Sequence, residues 1–172
     1  MRTPEQIEGP YFPVTFQGNE ENILIDSDMD KNHLIEIHGT LHDDFQKPIS
    51  HALVIIWQAD AYGRYNHPDD SKFGSLDPHF HYWGTCFTDN EGRYFFRTVK
   101  PGPYLDQDEF RTPHIHFRVQ LNSKTLLTTQ MYFPNEALNQ NDEHLQELDQ
   151  SLQPLLIAKV DRKRSFQFDI TV

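Results

Sequence analysis

The sequence predicts an all-β protein: an antiparallel β-sandwich of about eight strands with an extended N-terminal arm and one short helix. Three observations carry that expectation. From Leu34 onward, short apolar or alternating runs are separated by clusters of Gly, Pro, Asn and Asp. The apolar residues lean towards Phe, Tyr, Val and Ile, which suit a pleated, half-buried surface. A single stretch shows helical spacing.

Residues 1–33 are polar and rich in turn formers, and read as an arm. Within it, "DSDMDKN" sets Asp26, Asp28 and Asp30 at calcium-loop spacing, but Lys31 stands where such a loop needs Gly and Ile37 where it needs Glu. The segment is read as a solvated acidic turn. The candidate strands follow in order: "LIEIHGTL", "ALVIIWQAD", "GTCFTD", "RYFFRTV", "HIHFRVQL", "LLTTQMYF", "LLIAKVD" and "FQFDITV". "DNEG" and "RKRS" are expected to close hairpins between the third and fourth and between the last two. In "NDEHLQELDQSL", Leu145, Leu148 and Leu152 recur at helical spacing, Pro154 stops the helix, and the charges are read as its solvated face. The whole of 1–172 is expected to be one domain, 1–33 being its arm.

Composition narrows the function. A net charge of -11 argues against nucleic-acid and anionic-membrane partners, which draw on clustered Lys and Arg. The one cysteine, Cys86, excludes an internal disulfide and Cys-based metal sites, and is expected to be a buried small residue. The N-terminus has no apolar signal-like core, and no run is long enough to span a bilayer, so a cytoplasmic protein is expected.

The chemistry gathers at "RTPHIHFRV". In a strand, side chains at i and i+2 leave the same face, so His114 and His116 project together. Imidazole is the commonest metal ligand, although the chain's ten histidines make a surface H-x-H pair an ordinary event. Asp106, Asp108 and Glu109 lie close in sequence and would complete a two-histidine, one-carboxylate site, but at no recognisable spacing. Tyr65, just after "AYGR", and Tyr104, closing "KPGPY", stand beside glycines at strand exits, where a side chain can be aimed between loops. A trivalent cation can deprotonate a phenol, and two tyrosinates with two imidazoles suit ferric iron.

The text from "GTLHDDFQKPISHALVIIWQADAYGRY" through "LDPHF", "GTCFTDNEGRYFFRTVKPGPY" and "RTPHIHF" to "TQMYF" and "FDITV" resembles the intradiol ring-cleavage dioxygenases, of the protocatechuate 3,4-dioxygenase type. The resemblance implies a non-haem Fe(III) held by Tyr65, Tyr104, His114 and His116, with O2 as co-substrate and a small aromatic catechol as substrate. It implies that Arg111 stabilises negative charge on the ring and that Gln130 orients Arg111 or substrate. The opening "TPEQIEGPYF" is similar to the start of one subunit type of that family, which places Gly9, Pro10 and Tyr11 along the substrate cleft. Arm motif and ligand set in one polypeptide imply a single-chain enzyme, and self-association into a homo-oligomer is left open. Trp57 is assigned to pocket wall or to core packing. Phe73, His79, His81 and Trp83 are assigned to the pocket floor or to packing beneath it, and His67 to the surface.

Two departures bear on specificity. The loop "LDQDEF" between Tyr104 and Arg111 is short and its Phe110 stands where the family commonly has Trp, and there is no long helical N-terminal dimerisation segment, which favours the protocatechuate-like branch. A carboxylated substrate would want a further cation, for which Arg64, Lys72 and Lys124 are the candidates; catechol, hydroxyquinol and substituted catechols are rivals. Outside that chemistry stand an iron-free sandwich that only binds and a zinc hydrolase, the latter disfavoured because phenols are poor zinc ligands.

Overall fold

The structure is a computed structural model of the chain, and it describes residues 1–18, 20–29, 32–71, 74–106 and 109–172. The strands among them are β1 (Leu34–His42), β2 (Leu53–Trp57), β3 (Trp83–Phe87), β4 (Arg93–Val99), β5 (Tyr104–Asp106), β6 (Glu109–Arg111), β7 (His114–Leu121), β8 (Lys124–Tyr132), β9 (Lys159–Arg162), β10 (Ser165–Gln167) and β11 (Ile170–Thr171). One short helix, α1 (Glu143–Gln146), lies between 3-10 turns at Ala137–Gln140 and Gln153–Leu155.

Two sheets make the sandwich. In the first, β1 pairs antiparallel with β4 on one side and parallel with β10 and then β11 on the other, while β9 pairs antiparallel with β10. In the second, the order is β3–β2–β7–β8, antiparallel throughout. Strand β1 alternates strictly between buried and half-buried positions, sending Ile35, Ile37 and Leu41 into the interior. They meet Tyr94 and Phe96 of β4 and, from the second sheet, Val54, Ile56, Ile115, Phe117 and Val119. At Gly39 the packing is so close that a β-carbon would stand 1.9 Å from the Phe168 carbonyl oxygen, so only glycine lets the chain after β10 lie against β1.

The second sheet differs in being covered on both faces. Strand β2 is apolar without a break, as expected where no face meets water. Its Val54 and Ile56 enter the main core, whereas Ile55 and Trp57 join a second cluster with Ala59, Tyr65 and Tyr104. Strand β7 divides likewise, with Ile115, Phe117 and Val119 facing inward and His114, His116 and Arg118 facing the other way.

Several expectations are refined. "DNEG" does not close a hairpin, because β3 and β4 belong to different sheets; the turn, held by Asp89 Oδ1 accepting from the Glu91 and Arg93 amides, carries the chain across the sandwich. "RKRS" does join a hairpin, β9 to β10. "FQFDITV" breaks into β10 and β11, both parallel to β1, and β5 and β6 form an additional small hairpin. The helix is four residues long rather than spanning "NDEHLQELDQSL"; Leu145 is buried and Leu148 packs at the core edge, so tertiary burial rather than a continuous helix places those leucines. Cys86 is only partly buried. Asp30 and Lys31 of the acidic turn lie outside the described residues, while Asp26 holds His81 at 2.9 Å.

Phe96 is fully buried where the sheets meet. Phe96→Ala is expected to cost about 3–5 kcal/mol of unfolding free energy, read by urea denaturation, while Val160→Ser on exposed β9 should leave the midpoint nearly unchanged.

Candidate metal centre

The site is built on the outer face of the second sheet. Side chains directly opposite one another in paired strands share a face, so the register lines up Trp83, Trp57, His116 and Gln130 across β3, β2, β7 and β8, with His114 beside Tyr132 one step along. Trp57, 1% exposed, stacks flat on the His116 ring at 4.9 Å, fixing that imidazole from behind.

Two loops bring the tyrosines over this row. After β2 the chain turns at Asp60, whose Oδ1 accepts from the Tyr62 and Arg64 amides, and the Tyr65 amide donates to Asp70 Oδ2 at 2.6 Å. After β4 it passes Gly102 into β5, where Tyr104 begins the hairpin that ends at Arg111. The loops interlock: a β-carbon on Gly63 would lie 2.4 Å from the Pro103 carbonyl oxygen, and one on Gly102 would lie 2.6 Å from that of Ala61. The glycines beside the tyrosines thus serve close backbone approach.

Four polar atoms converge. His114 Nε2 lies 3.2 Å from His116 Nε2, 3.4 Å from the Tyr65 hydroxyl and 3.5 Å from the Tyr104 hydroxyl, and all four side chains are buried. His114 Nδ1 lies 2.7 Å from the Thr112 carbonyl, so that nitrogen carries the proton and Nε2 presents its lone pair to the cluster. Burial, reinforced by the charge of Arg111, holds both imidazoles well below their ordinary pKa, leaving them neutral and able to ligate. Burial pushes the Tyr104 phenol up to about 12, Arg111 opposing the rise, and burial together with Tyr104 pushes Tyr65 well above its ordinary range.

These features are a test of whether the donors fit an ion. Groups bound about 2 Å from one cation stand about 3 Å apart, close to the spacings here, which are long for hydrogen bonds. Two buried phenols with raised pKa values need a strong local positive charge to ionise, which points to a highly charged cation rather than zinc. Among the described residues no three His, Cys, Asp or Glu side chains form a metal-binding group, so the phenols are what distinguishes this set. Asp108 and the Glu109 side chain lie outside the described parts.

Arg111 is 5% exposed and approaches the same cluster. Its Nε donates to Asp142 Oδ2 at 2.9 Å and its Nη2 to Gln130 Oε1 at 2.7 Å; Asp106, on β5, is not its partner. Burial alone would lower the guanidinium's pKa, but Tyr104 and Asp142 raise it, so it stays a cation. Gln130 also donates to the Ile7 carbonyl and so ties the arm to Arg111. The arm covers the site: Gly9, in the left-handed region at φ 70°, lies over the His116 ring, Pro10 and Tyr11 turn above it, and Tyr11 stacks on Tyr65 at 4.6 Å. Behind them Glu8 pairs with Arg118, whose guanidinium lies 4.1 Å from the centre of the Phe12 ring.

Other assignments are settled by position. The His67 side chain is 6% exposed and meets Tyr11 edge-on at 5.7 Å, so it is not a surface residue. His79 and His81 face Asp26 and are half-exposed, away from the four donors, whereas Trp83 sits beside Trp57. Lys124 is at the far end of β7–β8 from His114 and Tyr132; Phe73 and Lys72 lie outside the described residues. Asp142 lies in an acidic run that reads as a solvated helix face. It is fully buried, and its one available signal was its place before a leucine three residues on, as a helix cap.

A family model described as "Dioxygenase" matches residues 7–171. The protocatechuate 3,4-dioxygenase beta chain of Burkholderia cepacia is 36% identical over 170 residues, spanning 90% of this chain and 71% of its own. Catechol 1,2-dioxygenase 1 of Acinetobacter lwoffii is 29% identical, and the chain, matched over 99% of its length, spans only 61% of that protein. Among solved structures, the dioxygenase domain of a dioxygenase carbohydrate-binding protein fusion from Streptomyces sp. SirexAA-E superposes with a TM-score of 0.79 at 30% identity, covering 100% of this chain and 98% of that one.

The bond from His114 to Thr112 sets a spectroscopic expectation. Nitrogen-15 NMR of metal-free protein at neutral pH should show His114 neutral with its proton on Nδ1, and a cationic His114 or the opposite tautomer would contradict the geometry.

Proposed function

Because the chain belongs to the intradiol ring-cleavage dioxygenases, we propose that it cleaves a catechol-type ring with O2 to a cis,cis-muconate at a non-haem Fe(III) held by Tyr65, Tyr104, His114 and His116. The observation that carries this reading is the convergence of two phenols and two imidazoles within 3.5 Å of one nitrogen, with a buried guanidinium beside them. A ferric ion held by these four residues would supply Lewis-acid and redox chemistry that activates a catechol ring toward O2.

The protein supplies the rest. Tyr104 Oη is the proton acceptor for a substrate hydroxyl: as tyrosinate it takes the proton and becomes the neutral phenol, the form its burial favours. Arg111 is the fixed positive charge beside the ring, oriented before substrate arrives, and it stabilises the negative charge that builds on the ring as it loses aromaticity. Gln130 keeps Arg111 in place from one side. Gly9, Pro10 and Tyr11 close the cleft against water, the left-handed backbone of Gly9 laying the turn over His116. Trp57 acts through His116, holding the ring flat from behind.

The arm and all four donors come from one chain, which supports a complete site in a single polypeptide acting on protocatechuate or a related catechol. Among the described residues no helix is long and apolar enough to cross a membrane.

The test is an iron assay with a visible spectrum, before and after anaerobic addition of catechol and of protocatechuate, followed by product analysis in air. Stoichiometric iron, a tyrosinate-to-iron band that moves to longer wavelength with substrate, and a muconate product are expected. A protein that stays colourless after Fe(III) loading would refute the ligand set and favour a sandwich that only binds. Tyr104→Phe should weaken the band and lower kcat by about a hundredfold, the scale of a lost acid–base group, and unchanged colour and turnover would remove Tyr104 from the site.

A further inference from the structure

Resting on the reaction proposed above, we infer that Asp142 is a positioning residue for ring cleavage, a buried carboxylate that fixes the orientation in which the Arg111 guanidinium faces the four-donor cluster. Asp142 is fully buried, and its carboxylate reaches Arg111 directly while also capping α1. Oδ2 accepts from Arg111 Nε at 2.9 Å and from the Thr112 amide at 3.1 Å; Oδ1 accepts from the Leu145 amide at 3.2 Å and the Tyr132 hydroxyl at 3.4 Å. Thr112 is the residue whose carbonyl aligns His114, so one carboxylate addresses both the arginine and the strand entrance that carries the first imidazole.

The geometry of a guanidinium makes this decisive. A planar fork held at one nitrogen can pivot, whereas Nε on Asp142 and Nη2 on Gln130 together fix its plane. The two holding groups come from different places, Gln130 from β8 and Asp142 from the cap of α1, so the aim of Arg111 depends on how that short helix docks.

A capping role alone would not need a charge. Asparagine caps as well as aspartate, so Asp142→Asn keeps the cap and the shape but replaces the charged acceptor facing Arg111. Two measurements separate positioning from general stability. In metal-free protein, hydrogen exchange at Arg111 Nε, followed by nitrogen-15 NMR, should accelerate at least about tenfold in Asp142→Asn as the charge-assisted bond is lost. With iron-loaded protein and the catechol it turns over, Asp142→Asn should lower kcat by about tenfold or more with KM little changed, because a misaimed charge is felt in the transition state. Added to Arg111→Lys, the same change should lower kcat by less than about twofold, since the group it positions is gone. Leu148→Ala, which loosens the same segment without touching Arg111, should lower Tm yet leave exchange at Arg111 Nε as it was.

Unchanged exchange in Asp142→Asn, or additive effects with Arg111→Lys, would overturn the assignment. Absence of ring cleavage in the unsubstituted protein would instead overturn the reaction, and the exchange measurement would still decide whether Asp142 holds Arg111.

Discussion

Strand β7 is buried on both faces, and the rest of the molecule is arranged around that constraint. Its inward side chains, Ile115, Phe117 and Val119, bind the two sheets into one core. Its outward ones are two imidazoles and a guanidinium, which cannot be buried without partners. Everything outside the sandwich supplies those partners: the loops after β2 and β4 bring phenols to His114 and His116, and the arm brings Glu8 and Phe12 to Arg118. A one-residue slip of β7 would exchange the two sets and destroy core and site together.

The site then follows from how buried polarity is compensated. Ion pairing answers for Arg111, because Asp142 meets it in the interior at hydrogen-bond distance, and losing one partner of such a pair is more damaging than never having had it. The four donors are compensated differently. Their mutual contacts are long and their neutral forms are favoured by burial, so a cation at their common point is what would make the arrangement electrostatically complete. The same burial that raises Tyr104 favours the neutral form of its phenol.

Much of this was legible because local rules apply locally. The i, i+2 projection of His114 and His116 follows from strand geometry, and the glycines beside Tyr65 and Tyr104 marked tight loops before any contact was known. The strand "HIHFRVQL" forms over the residues read for it. What misled was equally local in appearance. "DNEG" has every feature of a hairpin turn, yet β3 and β4 pair with other strands, and turn chemistry specifies a change of direction rather than the sheet in which the next strand lands. Asp142 sits in a run of acids that reads as solvent-facing, and only the docking of α1 against Thr112 buries it.

By itself, then, the sequence determined the strand class, the donor types and their spacing along the chain, because alternation, turn residues and side-chain chemistry are properties of a few consecutive residues. Resemblance over a long ordered stretch added the family. The tertiary structure alone decided that Trp57 backs His116, that His67 is covered by Tyr11, and that Arg111 turns to Asp142 and Gln130 rather than to Asp106. Those are pairings between residues up to dozens of positions apart, and their energies depend on burial, which no short stretch of chain can specify.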